Sequence, residues 1–206
     1  MTETRDPSGD LEEPHADERD PLTRGARAVF DWMLVVGIAI LVAVLVRTFV
    51  LAHFVVDGTS MAATLDSGDR VFVNKLSYRF GEPDRGDVIV LHQISGTSQR
   101  DLIKRVIAMP GERIEIVSCE VRITGTDDVT RILTEPYLDP AVVTPGNCGG
   151  DYAPPQDQPV PDDHVFVLGD NRGGSQDSRS LGPIHYDDLV GRAFVVFWPR
   201  QNWQWL

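Results

Sequence analysis

The stretch VFVLGDNRGGSQDSR, residues 165–179, joins two kinds of sequence. Its first four residues are apolar and mostly β-branched or aromatic, as strands prefer, and a run dense in glycine and hydrogen-bonding side chains follows. Short apolar runs of the same kind, bounded by turn residues, recur at 71–73, 88–91, 114–117 and 194–197. Because no long helical periodicity competes with them beyond the N-terminal region, the sequence predicts a mainly β fold.

A long apolar run lies near the N-terminus, at residues 28–48. Between Ala28 and Val46 the only charged residue is Asp31, and Arg47 closes the run. A helix of this length, rising 1.5 Å per residue, comes close to the ~30 Å thickness of a bilayer's hydrocarbon core. A cleavable signal peptide has a shorter apolar region, and a buried helix of a soluble protein usually has a polar face. We therefore interpret residues 28–48 as a single transmembrane anchor.

The segments on either side of the anchor differ in composition. Residues 1–27 are rich in Asp, Glu, Pro and Arg and almost free of apolar residues, so they are predicted to form a disordered tail. Arg24 and Arg27 place that tail in the cytoplasm by the positive-inside rule. No second apolar run of spanning length follows. Residues 49–206 are therefore expected to form an extracytoplasmic, β-rich catalytic domain, with an inserted loop or subdomain at about 118–161.

The chain is acidic, with a net charge of −12 and a pI near 4.7. Binding to phosphate groups requires clustered Lys and Arg, so nucleic acid is not an expected partner. Neither the scattered histidines nor the two cysteines have metal-ligand spacing, and we expect no metal and no cofactor. Cys119 and Cys148 flank a loop, which suits a disulfide in an oxidising compartment, while two free thiols remain the alternative.

Two further segments contain candidate catalytic residues. Ser60 follows Gly58-Thr59 shortly after the anchor and is either an exposed nucleophile on a turn or an ordinary surface serine. Lys104 lies in a strand-like run in which Leu102 and Val106 share its face. Desolvation on that apolar face lowers a lysine's pKa toward the range of a useful base. The alternative is a structural strand whose lysine points into solvent.

The polar run at 169–179 also allows two interpretations by itself. Asp170, Asn171 and Asp177 offer oxygen ligands for calcium. The EF-hand spacing is absent, however, and Arg172 and Arg179 oppose a bound cation. A structural polar turn is the simpler interpretation of this segment taken alone.

Together the three segments resemble bacterial type I signal peptidases (leader peptidases), serine proteases that use a Ser–Lys pair. The run Gly-Asp-Asn-Arg, two residues, Ser, one residue, Asp-Ser-Arg stands intact at 169–179. Arg-Asp, two residues, Lys-Arg and a later Pro-Gly stand intact at 100–111, and Gly68-Asp69-Arg70 also matches. The resemblance extends from the anchor to about Pro183. It implies the antiparallel sheets of a signal-peptidase-like catalytic domain behind one transmembrane helix.

The resemblance also implies roles for the matching residues. Ser60 is the nucleophile and neutral Lys104 is its general base, held in line by a hydrogen bond from its amine to Ser175. The backbone N–H of Ser60 binds the oxyanion, and Gly58 stands where some members carry a second hydroxyl donor. Met61, Val56 and Val55 line shallow substrate pockets. The site is shaped or supported by Asp177 with its ion-pair partner Arg179, and by Ser178, Asp170, Asn171 and Arg172.

The implied activity is that of an endopeptidase at the outer face of the cytoplasmic membrane. It removes signal peptides from exported preproteins after small-x-small (Ala-x-Ala) sites, so its partners are signal peptides and the phospholipid membrane. One residue departs from the pattern Ser-Met-x-Pro-Thr-Leu, because Ala63 replaces the proline that restricts the loop. A catalytically silent, membrane-anchored β module that binds export machinery is the alternative. A self-cleaving repressor-type protease is disfavoured by the anchor and by the missing DNA-binding segment.

Overall fold

The computed structural model describes residues 21–95, 98–138, 143–144, 146–154 and 158–206. One long helix, α1, covers Pro21–Leu45 and continues into a π-helical turn at Val46–Val50. It therefore begins before the predicted anchor, and the last residues of the predicted tail are helical. A proline is well suited to the first helical position, because its missing N–H has no partner there in any helix. Residues 1–20 of the predicted tail lie outside the described residues.

The apolar part of this helix is solvent-exposed rather than packed in protein. The stretch Val29–Val50 is long and apolar enough to cross a membrane, and none of its most apolar window is buried. The chain from Leu45 to Leu206 forms a separate compact unit.

An eight-stranded antiparallel sheet dominates this unit. Its order is β1-β2-β10-β3-β4-β8-β9, with β11 paired to β10. The strands are β1 (Leu51–Val55), β2 (Arg70–Asn74), β3 (Val88–Ser95), β4 (Ser98–Ala108), β8 (His164–Leu168), β9 (Ile184–His185), β10 (Leu189–Trp198) and β11 (Gln204–Trp205). Two short helices accompany them, α2 (Ser77–Phe80) and α3 (Ser178–Leu181). The mainly β fold and the antiparallel pairing are confirmed.

A smaller antiparallel sheet contains β5 (Arg113–Val117), β6 (Glu120–Thr124) and β7 (Thr130–Ile132), in that order. It starts before residue 118, so the predicted insertion shares its sheet with the preceding strand β5. An isolated bridge joins Ile116 to Tyr152, and Cys119 is disulfide-bonded to Cys148 with their Cα atoms 5.4 Å apart. These links attach the chain after β7 to the small sheet.

The ladder between β4 and β8 determines where the functional loops meet. β8 pairs with β4 at Arg105, Val106 and Ala108, and β8 ends at Leu168. Lys104 is therefore the first residue of β4 beyond this ladder, while its pairing with Ile89 of β3 continues on the other side. The polar loop that follows β8 begins next to it.

Candidate active site

Ser60 lies on a compact turn between β1 and β2. Val56 and Asp69 close the base of this loop with a 2.8 Å backbone hydrogen bond, and the Leu65 N–H donates to the carbonyl of Met61. Met61 and Leu65 are each 1% exposed and fix the turn to the core. Gly58, with φ of +99°, takes a backbone conformation that side chains disfavour. The buried apolar residues thus hold a turn that presents Ser60.

Lys104 contacts Ser60 directly. Its Nζ donates to Ser60 Oγ at 2.8 Å and to the carbonyl oxygen of Ile103 at 2.7 Å. The lysine is 1% exposed, as its apolar strand neighbours predict. Burial lowers its pKa to about 8, although the carboxylates of Asp177 and Asp170 act in the opposite direction. With this pKa about a tenth of the amine is neutral at pH 7, and the neutral form is chemically able to accept a proton from Ser60 Oγ.

Ser175 is close to this pair but does not make the predicted hydrogen bond to the amine. Lys104 uses the Ile103 carbonyl instead, and Ser175 Oγ is buried without a hydrogen-bond partner among the described residues. A Cβ atom added to Gly169 would meet Ser175 Oγ at 2.2 Å and the Ser60 carbonyl at 2.4 Å. Glycine at 169 therefore allows Ser175 to approach the turn that carries Ser60. We call this turn, which Val56 and Asp69 close, the nucleophile turn after the predicted role of Ser60.

The N–H of Ser60 is the predicted donor to the oxyanion. In the part of the chain that the structure describes, it donates to no acceptor. Gly58 contributes no side-chain donor, and its own N–H points to Ser67 Oγ at 3.4 Å. The backbone of the nucleophile thus remains able to bind a developing negative charge.

Asp170 anchors the polar loop to both neighbouring segments. It receives Arg105 Nε at 3.0 Å and Arg105 Nη2 at 2.7 Å, and it accepts the Thr64 hydroxyl at 2.5 Å. Asp170 is 1% exposed and Arg105 is 6% exposed. The pair is therefore an almost fully buried two-point ion pair that links strand β4 to the nucleophile turn.

Asn171 binds backbone carbonyls of the same turn. Its N–H donates to the Ser60 carbonyl and its side-chain amide donates to the Thr59 carbonyl, both at 3.0 Å. Ser178 supports the loop differently, because its hydroxyl accepts the Val167 N–H at 2.9 Å. The loop after β8 thus positions the backbone of Thr59 and Ser60.

Asp177 and Arg179 form the predicted ion pair. Arg179 donates from Nε and Nη2 to the two Asp177 oxygens, both at 2.8 Å. Asp177 also accepts the Gly169 N–H at 3.0 Å, and Arg179 Nη1 reaches the Cys148 carbonyl at 3.1 Å. The pair joins the start of the polar loop to the segment held by the disulfide.

Comparison with known proteins identifies the family of the chain. A family model described as Signal peptidase, peptidase S26 matches residues 29–198. The chain belongs to this signal peptidase family. It is accordingly a serine endopeptidase, and its mainly antiparallel β fold behind one apolar helix is the fold expected of it.

Individual relatives cover most of the chain. Signal peptidase I S of Bacillus subtilis (strain 168) is 36% identical over 176 residues, which cover 84% of this chain and 91% of the relative. Signal peptidase I of Leptolyngbya laminosa is 34% identical over 197 residues, covering 91% of this chain and 84% of the relative. A solved signal peptidase I from Enterococcus faecalis V583 is 32% identical, with a TM-score of 0.44, and covers 54% of this chain and 96% of its own.

Four residues of this signal peptidase join the site without having been predicted. Arg105 and Thr64 lie within segments that match the family pattern, so the motifs could have indicated both residues. Glu135 and Tyr137 lie in the predicted insertion. Glu135 binds both Arg172 Nη atoms, one of them at 2.9 Å, and accepts the Tyr137 hydroxyl at 2.6 Å, while the Arg105 guanidinium lies 3.8 Å from the Tyr137 ring centroid. Burial and the Glu135 charge raise the pKa of Tyr137 above its ordinary value.

A small cleft of about 90 Å³ opens beside the Ser–Lys pair of the peptidase. Val55 and Val56 line it together with Phe54, Ile103 and other residues of β1 and β4, and their predicted contact with substrate stays a prediction. Met61, the third predicted pocket residue, is not among the lining residues. Met61 is buried in the core with Leu65, because the tight turn after Ser60 directs its side chain inward.

No metal site accompanies the cleft within the described ranges of the chain, where no group of three or more His, Cys, Asp or Glu residues could hold an ion.

Proposed function

We propose that the chain removes signal peptides from exported preproteins, cutting after small-x-small (Ala-x-Ala) sites with Ser60 as nucleophile and Lys104 as general base. One observation carries this proposal. A lysine that is 1% exposed donates a 2.8 Å hydrogen bond to the hydroxyl of a serine at the mouth of a small cleft. Ser–Lys pairs of this kind are a recognised variant of the serine protease mechanism.

The reaction follows from the protonation state of the pair. Neutral Lys104 accepts the hydroxyl proton as Ser60 Oγ attacks the substrate carbonyl carbon, which forms a tetrahedral intermediate. The Ser60 N–H lies at the nucleophile and stabilises the oxyanion. The ammonium then protonates the departing amine, the C–N bond breaks, and an acyl-enzyme remains. A water molecule, deprotonated by the same amine, hydrolyses the ester and restores Ser60.

The cleft supports the proposed preference for small residues. Pockets that bind drug-sized ligands measure about 300–1,000 Å³, whereas this cleft measures about 90 Å³. Apolar residues form much of its wall, including Val56, Val71 and Val90. Alanine side chains in an extended substrate suit such a small, largely apolar cleft.

The proposed location follows from the apolar helix. Val29–Val50 is taken as a single membrane span with the N-terminus in the cytoplasm, and the β-rich unit lies outside. Ser60 follows the span by ten residues (60 − 50 = 10), so the reaction takes place close to the outer membrane surface. Exported preproteins present their cleavage sites there.

Cleavage of a precursor tests the proposal. The detergent-solubilised protein is mixed with a precursor carrying an Ala-x-Ala signal sequence, and the cut is mapped by mass spectrometry beside Ser60→Ala and Lys104→Ala. Ser77→Ala and Lys75→Ala serve as matched controls, since Lys75 is the other lysine of the chain. We expect cleavage after Ala-x-Ala by the unmutated protein and the controls alone. Cleavage that survives Lys104→Ala rejects the base, and a folded but inactive unmutated protein favours the silent binding module.

A further inference from the structure

The chain after β10 folds back onto the nucleophile turn. β11 pairs with β10 through Val195 opposite Trp205 and Val196 opposite Gln204. Leu206 packs against the core cluster that includes Met61 and Leu65. Residues 199–206 thereby contact the turn, as the polar loop after β8 also does, and we call residues 199–206 the clasp segment.

Two side-chain amides of the clasp segment bind the turn. Gln204 Nε2 donates to the carbonyl oxygen of Thr64 at 2.6 Å. Asn202 Nδ2 donates to Asp69 Oδ1 at 2.8 Å, and the other oxygen of this 2% exposed carboxylate accepts the Asp66 N–H at 2.9 Å. The two amides therefore hold the middle and the end of the loop that begins with Ser60.

The turn requires such support because its backbone is strained. Ala63 has a φ of +104°, in the region that side chains rarely adopt, and such residues cost of order 1–3 kcal/mol unless their surroundings hold them. Thr64, the next residue, is bound from two directions: its hydroxyl donates to Asp170 and its carbonyl accepts from Gln204. The signal peptidase pattern that the sequence resembles has proline at position 63, and proline cannot adopt this φ.

We propose that Gln204 and Asn202 are positioning residues, whose amides clasp the nucleophile turn and keep Ser60 Oγ in line with Lys104. This inference rests on the proposed function of Ser60 and Lys104. Each amide acts as a hydrogen-bond donor: Gln204 donates to the Thr64 carbonyl and Asn202 donates to the Asp69 carboxylate. An isosteric carboxylate at either position loses the donor and places two acceptors against each other.

The kinetic test compares charge-matched variants of the full chain on a peptide with an Ala-x-Ala site. Gln204→Glu removes the donor, while Gln201→Glu adds the same charge to an exposed neighbour. Losing a hydrogen bond of ordinary strength at Gln204 is expected to lower kcat about tenfold with KM nearly unchanged. Gln204→Lys restores a donor and is expected to recover most of the rate. Equal kcat values for Gln204→Glu and Gln201→Glu overturn the inference.

Amide hydrogen exchange tests the clasp without relying on catalysis. The N–H groups of Ala62, Thr64 and Leu65 are bonded within the turn. Gln204→Glu is expected to speed their exchange at least several-fold, with protection of β3 and β10 unchanged, while Gln201→Glu leaves all of them as in the unmutated chain. Unchanged exchange in Gln204→Glu overturns the inference. An unmutated chain that does not cleave the peptide rejects the proposed function, and the exchange result still decides whether the clasp exists.

Discussion

At the scale of single residues, Ala63 shows how one backbone angle affects the nucleophile turn. Its φ of +104° is accessible to glycine without strain and is closed to proline. The proline of the pattern Ser-Met-x-Pro-Thr-Leu therefore does not fit the present conformation of the turn. Alanine at position 63 is compatible with this conformation, whereas proline is not.

Substitutions at Ala63 should move stability in opposite directions. Ala63→Gly relieves the strain but adds unfolded-state entropy, so we expect the free energy of unfolding to rise by about 1 kcal/mol. Ala63→Pro is expected to lower it, because the ring enforces a φ near −65°. Chemical denaturation measures both, with Ala62→Gly as the control for added chain freedom. Stabilisation by proline would contradict the observed turn.

The pKa of Lys104 determines a second residue-scale prediction. Burial lowers it to about 8, and only the neutral amine acts as a base. We expect kcat/KM to rise with pH, to reach half its maximum at about pH 8, and to stay level above that. The unfolded lysine keeps its proton up to its ordinary pKa of 10.5, so this group's contribution to stability increases between about pH 8 and 10.5.

A pH–rate profile on a peptide without titratable side chains checks this prediction, with the free energy of unfolding measured over the same range. A half-maximum near 10 would mean that the lysine is not desolvated in solution. If Lys104→Ala had the same pH–rate profile as the unmutated protein, the titrating group would be a residue other than Lys104.

At the scale of elements, the segment that follows the small sheet completes the site. Glu135 binds Arg172 of the polar loop, and the Tyr137 ring lies against the Arg105 guanidinium of β4. The Cys148 carbonyl accepts a hydrogen bond from Arg179. The disulfide from Cys119 to Cys148 closes a sequence separation of 29 residues around this segment. One covalent link therefore restrains the region that contacts the polar loop.

Removing the disulfide should destabilise the unit and loosen this segment. Loop closure of this size is worth about 2–4 kcal/mol, so we expect the double variant Cys119→Ser/Cys148→Ser to lose that much in the free energy of unfolding. Reductant should destabilise the unmutated protein by a similar amount and leave the double variant unchanged. Equal stability of oxidised and reduced protein would show that the bond contributes nothing in solution.

At the scale of the whole molecule, the apolar helix and the acidic β-rich unit have different solvent requirements. The side chains between Val29 and Val46 are largely exposed, whereas the β-rich unit has its own apolar core. The whole chain carries a net charge of −12, and such an acidic balance favours solubility in water. The exposed apolar helix is compatible with membrane anchoring, whereas the β-rich unit buries its apolar residues in its own core.

Charges placed within the helix should release the chain from membranes. Ile38→Arg together with Leu41→Arg is expected to abolish flotation with phospholipid vesicles, because each arginine costs about 2.5–3.5 kcal/mol near the centre of a span. Phe80→Arg adds charge at an exposed phenylalanine outside the span and should leave flotation unchanged. Flotation of the double variant at the level of the unmutated chain would place the membrane contact elsewhere.

The sequence by itself determined the features that depend only on short stretches of the chain. The strand cores at 71–73, 88–91, 114–117, 165–168 and 194–197 lie within observed strands, because alternation and β-branched side chains act locally. The spacing of the motif residues within 100–111 and 169–179 indicated the family. Each motif occupies one short stretch of the chain, so no long-range contact is needed to recognise it. The immediate neighbours of Lys104 allowed either burial or exposure, and the tertiary structure buries it.

Only the tertiary structure decided which distant groups meet. Thr64 and Asp170 are 106 residues apart, and Gln204 and Thr64 are 140 apart, so no local pattern predicts either hydrogen bond. The inward orientation of Met61 and the φ of Ala63 depend on how the turn is packed against the core. Within the described part of the chain the buried Ser175 hydroxyl has no hydrogen-bond partner, which the motif alone does not predict. Local propensity determines elements, whereas a site assembled from four separate segments depends on long-range packing and on the turns that permit it.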